Sequence, residues 1–354
     1  MNEAEINDIR EPPHFKGVSF SKFKKADVRK QFIDNMLKSK VEPACYWCAE
    51  LICAGHYSDV WETIIYYVGK HIHMGNPKIV IYIQMRYENF KKLMSSGFSE
   101  LQLRNNISMR QLFAEIVSIL TLSNKKNSFE AIKINKTEEF DMTQISERLK
   151  ASSIHFAEPI IKPEDPKELF IAVNEFAYHL SIKNLLSACY WIEWIIEFEY
   201  ICKKRKQPIY CERRSFVDVD KKCSRDIVWI IWDALIHYSS LVSNSYINKL
   251  MKGLVDIFSI RYTTASCKKY RYLLYFAVEV ITETITNDVE LISDKNVVQT
   301  VVSKIQNIYK QIKKNEVSPN TEYLFANLEK DNNLEKSIRQ IELVNSITIT
   351  NEKF

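Results

Sequence analysis

The tetrapeptide Ala-Cys-Tyr-Trp occurs twice in this chain, at 44–47 and 188–191, 144 residues apart. Each copy opens a long apolar stretch, "ACYWCAELICAG" in the first case and "ACYWIEWIIEFEYIC" in the second. Further matches follow in the same order. Asp59-Val60-Trp61 resembles Asp226-Ile227-Val228-Trp229. Met85-Arg86-Tyr87 resembles Ile260-Arg261-Tyr262, and Phe90-Lys91-Lys92 is echoed by Cys267-Lys268-Lys269. A single match between aromatic-rich helices is chance. An ordered series predicts two related halves.

The dominant apolar period is that of an α-helix. Pro43 and Pro77 follow Glu42 and Asn76 at first-turn positions that proline tolerates, and Gly55 suits a helix end. Asp165-Pro166-Lys167-Glu168 places an N-cap Asp, a Pro and a Glu three residues after the cap. Helices are expected near 22–40, 57–73, 107–123, 166–181, 183–204, 224–240, 245–262, 268–286 and 294–315. "KIVIYIQM" (78–85) is β-branched, but its counterpart "KGLVDIFSI" carries helical spacing, so 76–95 is expected to be a helix. "SFEAIKI" (128–134) has the composition of a short strand. The six glycines stand no closer than six residues apart, which excludes a Gly-rich phosphate cradle and disfavours a turn-rich β fold.

These readings define an all-α protein of two related multi-helix halves. The expected organisation is an N-terminal arm 1–21, a first half 22–123, a polar connector 124–165, a second half 166–315 with a basic insert at 203–225, and a polar tail 316–354 with one helix near 332–344. The start of the chain shows no apolar signal segment, and most of the eight cysteines sit in apolar helical text; reduced thiols in an intracellular compartment are expected. The most apolar window, 185–202, is interrupted by Ser187, Glu193, Glu197 and Glu199, too many for a membrane span.

Candidate chemistry is sparse. Cys45, Cys48, Cys53 and His56 have a metal-ligand flavour, but they fall on one predicted helix, and a straight helix offers two ligands to one ion, rarely four. Cys189 recurs in the second half while Ile192 replaces Cys48, so packing as small hydrophobes fits both copies. Three i, i+4 pairs, Glu175–His179, Glu193–Glu197 and Asp233–His237, suit surface pairing or interhelical bonds, or else a carboxylate-bundle metal enzyme. His71 and His73, just before Gly75, suit a helix end. No cofactor is implied.

The stretch between the Cys-motif helix and the Val-Trp helix is 24 residues longer in the second half than in the first. It carries Lys203, Lys204, Arg205, Lys206, Arg213, Arg214, Lys221, Lys222 and Arg225, with Tyr210 and Phe216 interleaved. With a net charge of only +5 on the whole chain, any basic function must come from such a local patch. Cations with exposed aromatics suit a nucleic-acid backbone or an acidic protein surface; a solubilising loop has the same composition.

The text "ACYWCAELICAGHYSDVW" together with "ACYWIEWIIEFE", "CERR", "VWIIWDAL" and "LLYFAVEVITE" resembles an uncharacterised core protein family of the nucleocytoplasmic large DNA viruses (giant viruses), over about 30–285. The Lys, Asn and Ile bias and the shortage of Gly suit an AT-rich genome. The resemblance implies a viral setting, in the host cytoplasm or nucleus or in the virion, and transfers no catalytic motif. The expected function is therefore a non-enzymatic helical interaction or scaffold protein, a virion or virus-factory component. Its expected partners are other viral proteins or nucleic acid. The alternatives are a metal-dependent enzyme using the second-half pairs, or a sequence-independent nucleic-acid-binding accessory factor in viral replication or transcription.

Overall fold

The computed structural model describes residues 3–135, 140, 142–285, 290–292 and 294–317. Thirteen α-helices carry them, and there is no strand among the described residues. The helices are α1 (Lys25–Leu37), α2 (Val41–Cys53), α3 (Tyr57–Tyr67), α4 (Lys78–Met94), α5 (Glu100–Asn105), α6 (Ile107–Leu122), α7 (Met142–Arg148), α8 (Phe170–Ser181), α9 (Leu185–Lys204), α10 (Val228–Leu241), α11 (Ser245–Ser259), α12 (Cys267–Thr282) and α13 (Lys295–Lys313). The all-α class is as the sequence implies, and the β-branched 78–85 stretch is helical. The helix expected near 332–344 lies outside the described residues. None of the described helices is long and apolar enough to cross a membrane.

The junctions α1–α2 and α8–α9 are built alike. Ser39 (φ 55°) and Lys183 (φ 57°) both take the left-handed conformation just past the helix end. The next residue is extended in each case, Lys40 at φ −93°, ψ 90° and Asn184 at φ −92°, ψ 90°. The Ser39 N–H donates to Met36 O and the Lys40 N–H to Asn35 O; the Lys183 N–H donates to Leu180 O and the Asn184 N–H to His179 O. These paired bonds satisfy carbonyls left open at the helix end. The helices so joined also pack in the same combinations. α1 and α2 pair as α8 and α9 do, α6 lies on α1, α2 and α4 as α12 lies on α8, α9 and α11, and α3 touches α1 and α2 as α10 touches α8 and α9.

The two sets do not form separate bodies. α4 packs along α11, and α12 packs against α3 and the irregular segment after it. That segment runs on from α3 as a π-helical turn, Val68–Ile72, and breaks at His73, which is fully buried at φ 45° rather than at an open helix end. Its Nδ1 lies 2.6 Å from Glu279 Oε2 on α12, and its ring stacks on Phe276.

Three expectations about organisation are corrected. First, α13, placed with the second half, packs on α2 and α6 of the first. The arm joins it: Ala4, Ile6, Phe15 and Phe20 are buried. Arg110 of α6 holds that corner together. It donates to Ala4 O, Arg104 O, Asn105 Oδ1 and Gln306 Oε1, with its guanidinium 3.9 Å over the Tyr309 ring. Second, Ser128–Ile134 is not a strand. Among the described residues it has no neighbouring strand to pair with; the Ser128 N–H donates to Lys70 O and the Ile132 N–H to the Tyr275 hydroxyl. Third, Asp165 caps no helix. The chain makes a 3₁₀ turn at Lys167–Leu169 and α8 begins only at Phe170, because the Asp165 carboxylate is committed elsewhere.

Aromatic side chains fill the interior. Trp61 meets Tyr87, Phe90 and Phe113, and Trp229 and Trp232 meet Phe258. On α9, Trp191 and Trp194 are 2% and 5% exposed, as a central helix requires.

Candidate functional site

The insert begins where α9 ends. Arg205 closes the helix and Lys206, at φ 60°, takes the left-handed position after it. The Lys206 N–H donates to Lys203 O and the Gln207 N–H to Cys202 O. The helix end thus carries three consecutive exposed cations, Lys204, Arg205 and Lys206. Cations favour this end of a helix, where the backbone dipole is negative.

Beyond the turn the chain is clipped to its own far end. The Cys211 N–H donates to Arg225 O at 2.9 Å, and Arg225 Nε donates to Cys211 O at 3.0 Å. Trp229 Nε1 donates to Cys223 O at 2.7 Å. The clip is anchored inside the protein by Arg214. Its guanidinium, 1% exposed, makes a two-pronged contact with Asp165 at 2.6 Å on each prong. It also reaches Asp233 Oδ2 on α10 at 2.9 Å. Burial works to raise the Asp165 carboxyl, but the Arg214 bonds and the N–H groups of Lys162 and Glu212 outweigh it and hold the group below the usual carboxylate range.

The structure therefore divides the nine cations and Tyr210 of the insert. Arg214 is an interior anchor and is not available to a partner, a correction with a plain cause: Asp165 would otherwise be a buried charge without a counter-ion. Lys203 reaches Glu199 at 2.9 Å and stands 3.9 Å from Asp226, closing the base of the insert. Arg225 serves the backbone clip and lies 3.4 Å from Glu164. The other seven stay on the surface: Lys204, Arg205, Lys206, Tyr210, Arg213, Lys221 and Lys222 are all exposed. The cations among them make no ion pair with described residues. Tyr210 is 47% exposed.

The second turn of the insert faces a different environment. Phe216, Asp218 and Asp220 form one wall of a cleft of about 510 Å³ whose other walls are α4 and α11. Burial, reinforced by Glu88 and Asp218, raises the Asp256 carboxyl there above the ordinary range. Along this cleft Glu88, Asp218, Asp220 and Asp256 outnumber Lys91 and Arg261, so its charge is opposite to that of the basic turn.

The remaining candidates are structural. Cys45, Cys48 and Cys53 are buried, and burial pushes all three thiols up, Cys45 to about 12. His56 Nε2 faces the carbonyls of Phe15 and Val18 at 3.0 and 2.8 Å. Among the described residues no group of three or more His, Cys, Asp and Glu is placed to hold a metal ion. Glu175 accepts from the N–H groups of Lys150 and Ala151. Glu193 accepts from the Tyr275 hydroxyl at 2.8 Å and meets Arg271 at 3.0 Å, Glu197 meets Lys268 at 2.8 Å, and Asp233 holds Arg214. Each carboxylate of the three pairs thus has a partner that fixes the fold.

Sequence reasoning missed Asp165 as the counter-ion of the insert and missed the buried His73–Glu279 pair. A charge inside a run of charges carries no mark of burial, so the first had no local signal. Comparison with family models, curated proteins and solved structures returns no match for this chain.

Proposed function

We propose that the protein is a non-catalytic helical interaction protein that presents its insert to a polyanion, with the sugar-phosphate backbone of nucleic acid as the partner. One observation carries this reading: a pinned loop exposes Lys204, Arg205, Lys206, Arg213, Lys221 and Lys222, none of them ion-paired with a carboxylate among the described residues, beside a half-exposed Tyr210. A loop kept only for solubility needs no buried two-pronged anchor. A pre-ordered cationic surface lowers the entropy lost when a long anion binds. The contacts offered are to phosphate, with Tyr210 available for a base, so binding is sequence-independent and falls steeply with salt. Together with the resemblance to the giant-virus family, this reading extends to a virion or virus-factory component acting inside an infected cell.

The test is a titration of wild type and the Lys204→Ser/Arg205→Ser/Lys206→Ser variant with single- and double-stranded probes at two salt concentrations. Lys203 is left in place because it closes the insert. The variant is expected to bind more weakly and to lose up to about 2.7 from the slope of log affinity against log salt on duplex, if each cation meets one phosphate. Equal affinity of the two proteins, or no binding by wild type at low salt, refutes the nucleic-acid partner and leaves an acidic protein surface.

A further inference from the structure

A tight hairpin ahead of α1 sets one aromatic ring outside the protein. Val18 and Lys24 pair as an isolated antiparallel bridge, and the Ser19 N–H donates to Phe23 O at 2.8 Å. Lys22 turns the tip at φ 66°. Glu50 of α2, fully buried, holds the tip from inside. Its carboxylate accepts from the Ser19 hydroxyl at 2.8 Å, the Ser21 N–H at 3.0 Å and the Ser21 hydroxyl at 2.6 Å. Phe20 is buried and Phe23 is 45% exposed. The Phe23 ring meets Trp47 edge to face, with centroids 5.5 Å apart at 71°, and Trp47 meets Tyr46 at 5.3 Å and 84°. Tyr190 and Trp191 of the second Ala-Cys-Tyr-Trp copy keep that last geometry, at 5.3 Å and 83°, but there the tryptophan is buried. The remaining four tryptophans are also at most 5% exposed, whereas Trp47 is only half-buried beneath Phe23.

Lysines stand on both sides of the exposed ring. Residues 16–30 hold six Lys and Arg against Asp27 alone. Lys25 and Arg29 turn to Asp59 of α3. Lys16, Lys22 and Lys24 are exposed and make no ion pair with described residues. Cations beside an accessible aromatic ring suit a strand whose bases stack on the ring while its phosphates meet the lysines. Bases paired in a duplex stack on one another and are closed to the ring, so the arrangement favours a single strand. A lipid surface calls for more apolar area than this, since Phe23 is the one exposed large apolar side chain among residues 10–36.

We propose that this hairpin is a second contact for nucleic acid and selects single strands, a base stacking against Phe23 and Trp47 while Lys22 and Lys24 hold the adjoining phosphates. The inference rests on the polyanion reading of the insert and adds to it a preference between strands, carried by residues outside the insert.

Trp47 reports the event itself, because the other tryptophans are buried. The full chain is titrated with an oligothymidylate of about 20 nucleotides, longer than the ~4–16 that one such surface covers, and with a duplex of the same length. Intrinsic fluorescence reads stacking, and anisotropy of a labelled probe reads binding. The single strand is expected to bind and quench the emission, and the duplex to bind without quenching. Phe23→Ala should weaken the single strand about tenfold and leave the duplex unchanged. Trp47→Phe, which keeps an aromatic ring, should abolish the quench while the strand still binds. Lys22→Asn/Lys24→Ser, with asparagine at the left-handed position it tolerates, should take up to about 1.4 from the single-strand salt slope. Binding without a quench, a quench that survives Trp47→Phe, equal quenching by the duplex, or Phe23→Ala binding the single strand as wild type overturns the hairpin and leaves the insert reading intact. A quench retained in the Lys204→Ser/Arg205→Ser/Lys206→Ser variant at wild-type affinity supports the hairpin and overturns the insert alone. Emission that responds to phosphatidylcholine–phosphatidylserine vesicles and not to the single strand assigns the surface to lipid and overturns the proposal.

Discussion

Gly253 of α11 lies directly against Val80 of α4: a Cβ at position 253 would stand 2.9 Å from Val80 Cγ1. Helix propensity alone favours alanine there by about 1 kcal/mol. The contact opposes it, since overpacking of a buried site is destabilising by about 1–3 kcal/mol. Gly253→Ala is therefore expected to lower stability by ~1 kcal/mol in urea unfolding. Adding Val80→Ala should recover part of that loss through a coupling of about 0.5 kcal/mol or more. Strict additivity of the two changes would show that α4 and α11 do not meet at this point.

Arg214 and its neighbour in sequence should behave as opposites. Arg214→Ala leaves the buried Asp165 carboxylate without its counter-ion and is expected to cost about 3–5 kcal/mol. Arg213→Ala removes an exposed side chain and should fall within about 0.5 kcal/mol of wild type. Chemical denaturation of the two variants side by side decides the matter; similar small effects would place Arg214 on the surface.

The acid limb of stability should depend on Glu279. Burial raises its carboxyl, but His73 and Lys126 more than offset this and bring it down to about 2 from an ordinary 4.5. A depressed carboxyl contributes fully above its unfolded value and loses that contribution as pH falls through the folded one. The window is therefore pH 4.5 down to about 2. Glu279→Gln should be less stable than wild type at neutral pH, and the difference should shrink progressively across that window. A constant difference from pH 7 to pH 2 would exclude the mechanism.

Lys206 holds a left-handed position that glycine occupies without strain. The conformation disfavours a side chain by roughly 1–2 kcal/mol, while glycine gives back about 0.5–1 kcal/mol in the unfolded chain. Lys206→Gly should thus stabilise the protein by a few tenths to about 1 kcal/mol while weakening polyanion binding by one contact. Thermal unfolding and the salt titration read the two effects separately. Loss of stability would mean that Lys206 does more at this turn than carry charge.

How much of this was legible beforehand follows the range of the interactions. The helices, the burial of Trp191 and Trp194 and the helical state of 78–85 are written in spacings of three and four residues. The sequence suggests a strand at Ser128–Ile134 because β-propensity describes a fit to a neighbouring strand, and there is none among the described residues. Asp165 looked like a helix cap because the capping pattern is local, whereas its partner Arg214 is 49 residues away. The basic insert was visible as a charge run, but which of Arg213 and Arg214 turns inward is set by α10 and the connector. His73 gave no warning: its burial depends on Glu279, more than 200 residues later.

The late arrival of α13 has a consequence for synthesis. Its docking face on α2 and α6 exists early, yet the covering helix ends at Lys313, and the Val317 N–H then donates to Asp8 Oδ2. At ~5–20 residues per second, the ribosome needs on the order of 14–50 s to travel from α2 to the end of α13. For that interval the growing chain carries a greasy, uncovered flank near its beginning. That flank stays open until the last turn of α13 leaves the exit tunnel, and the chain then closes on it like a drawstring.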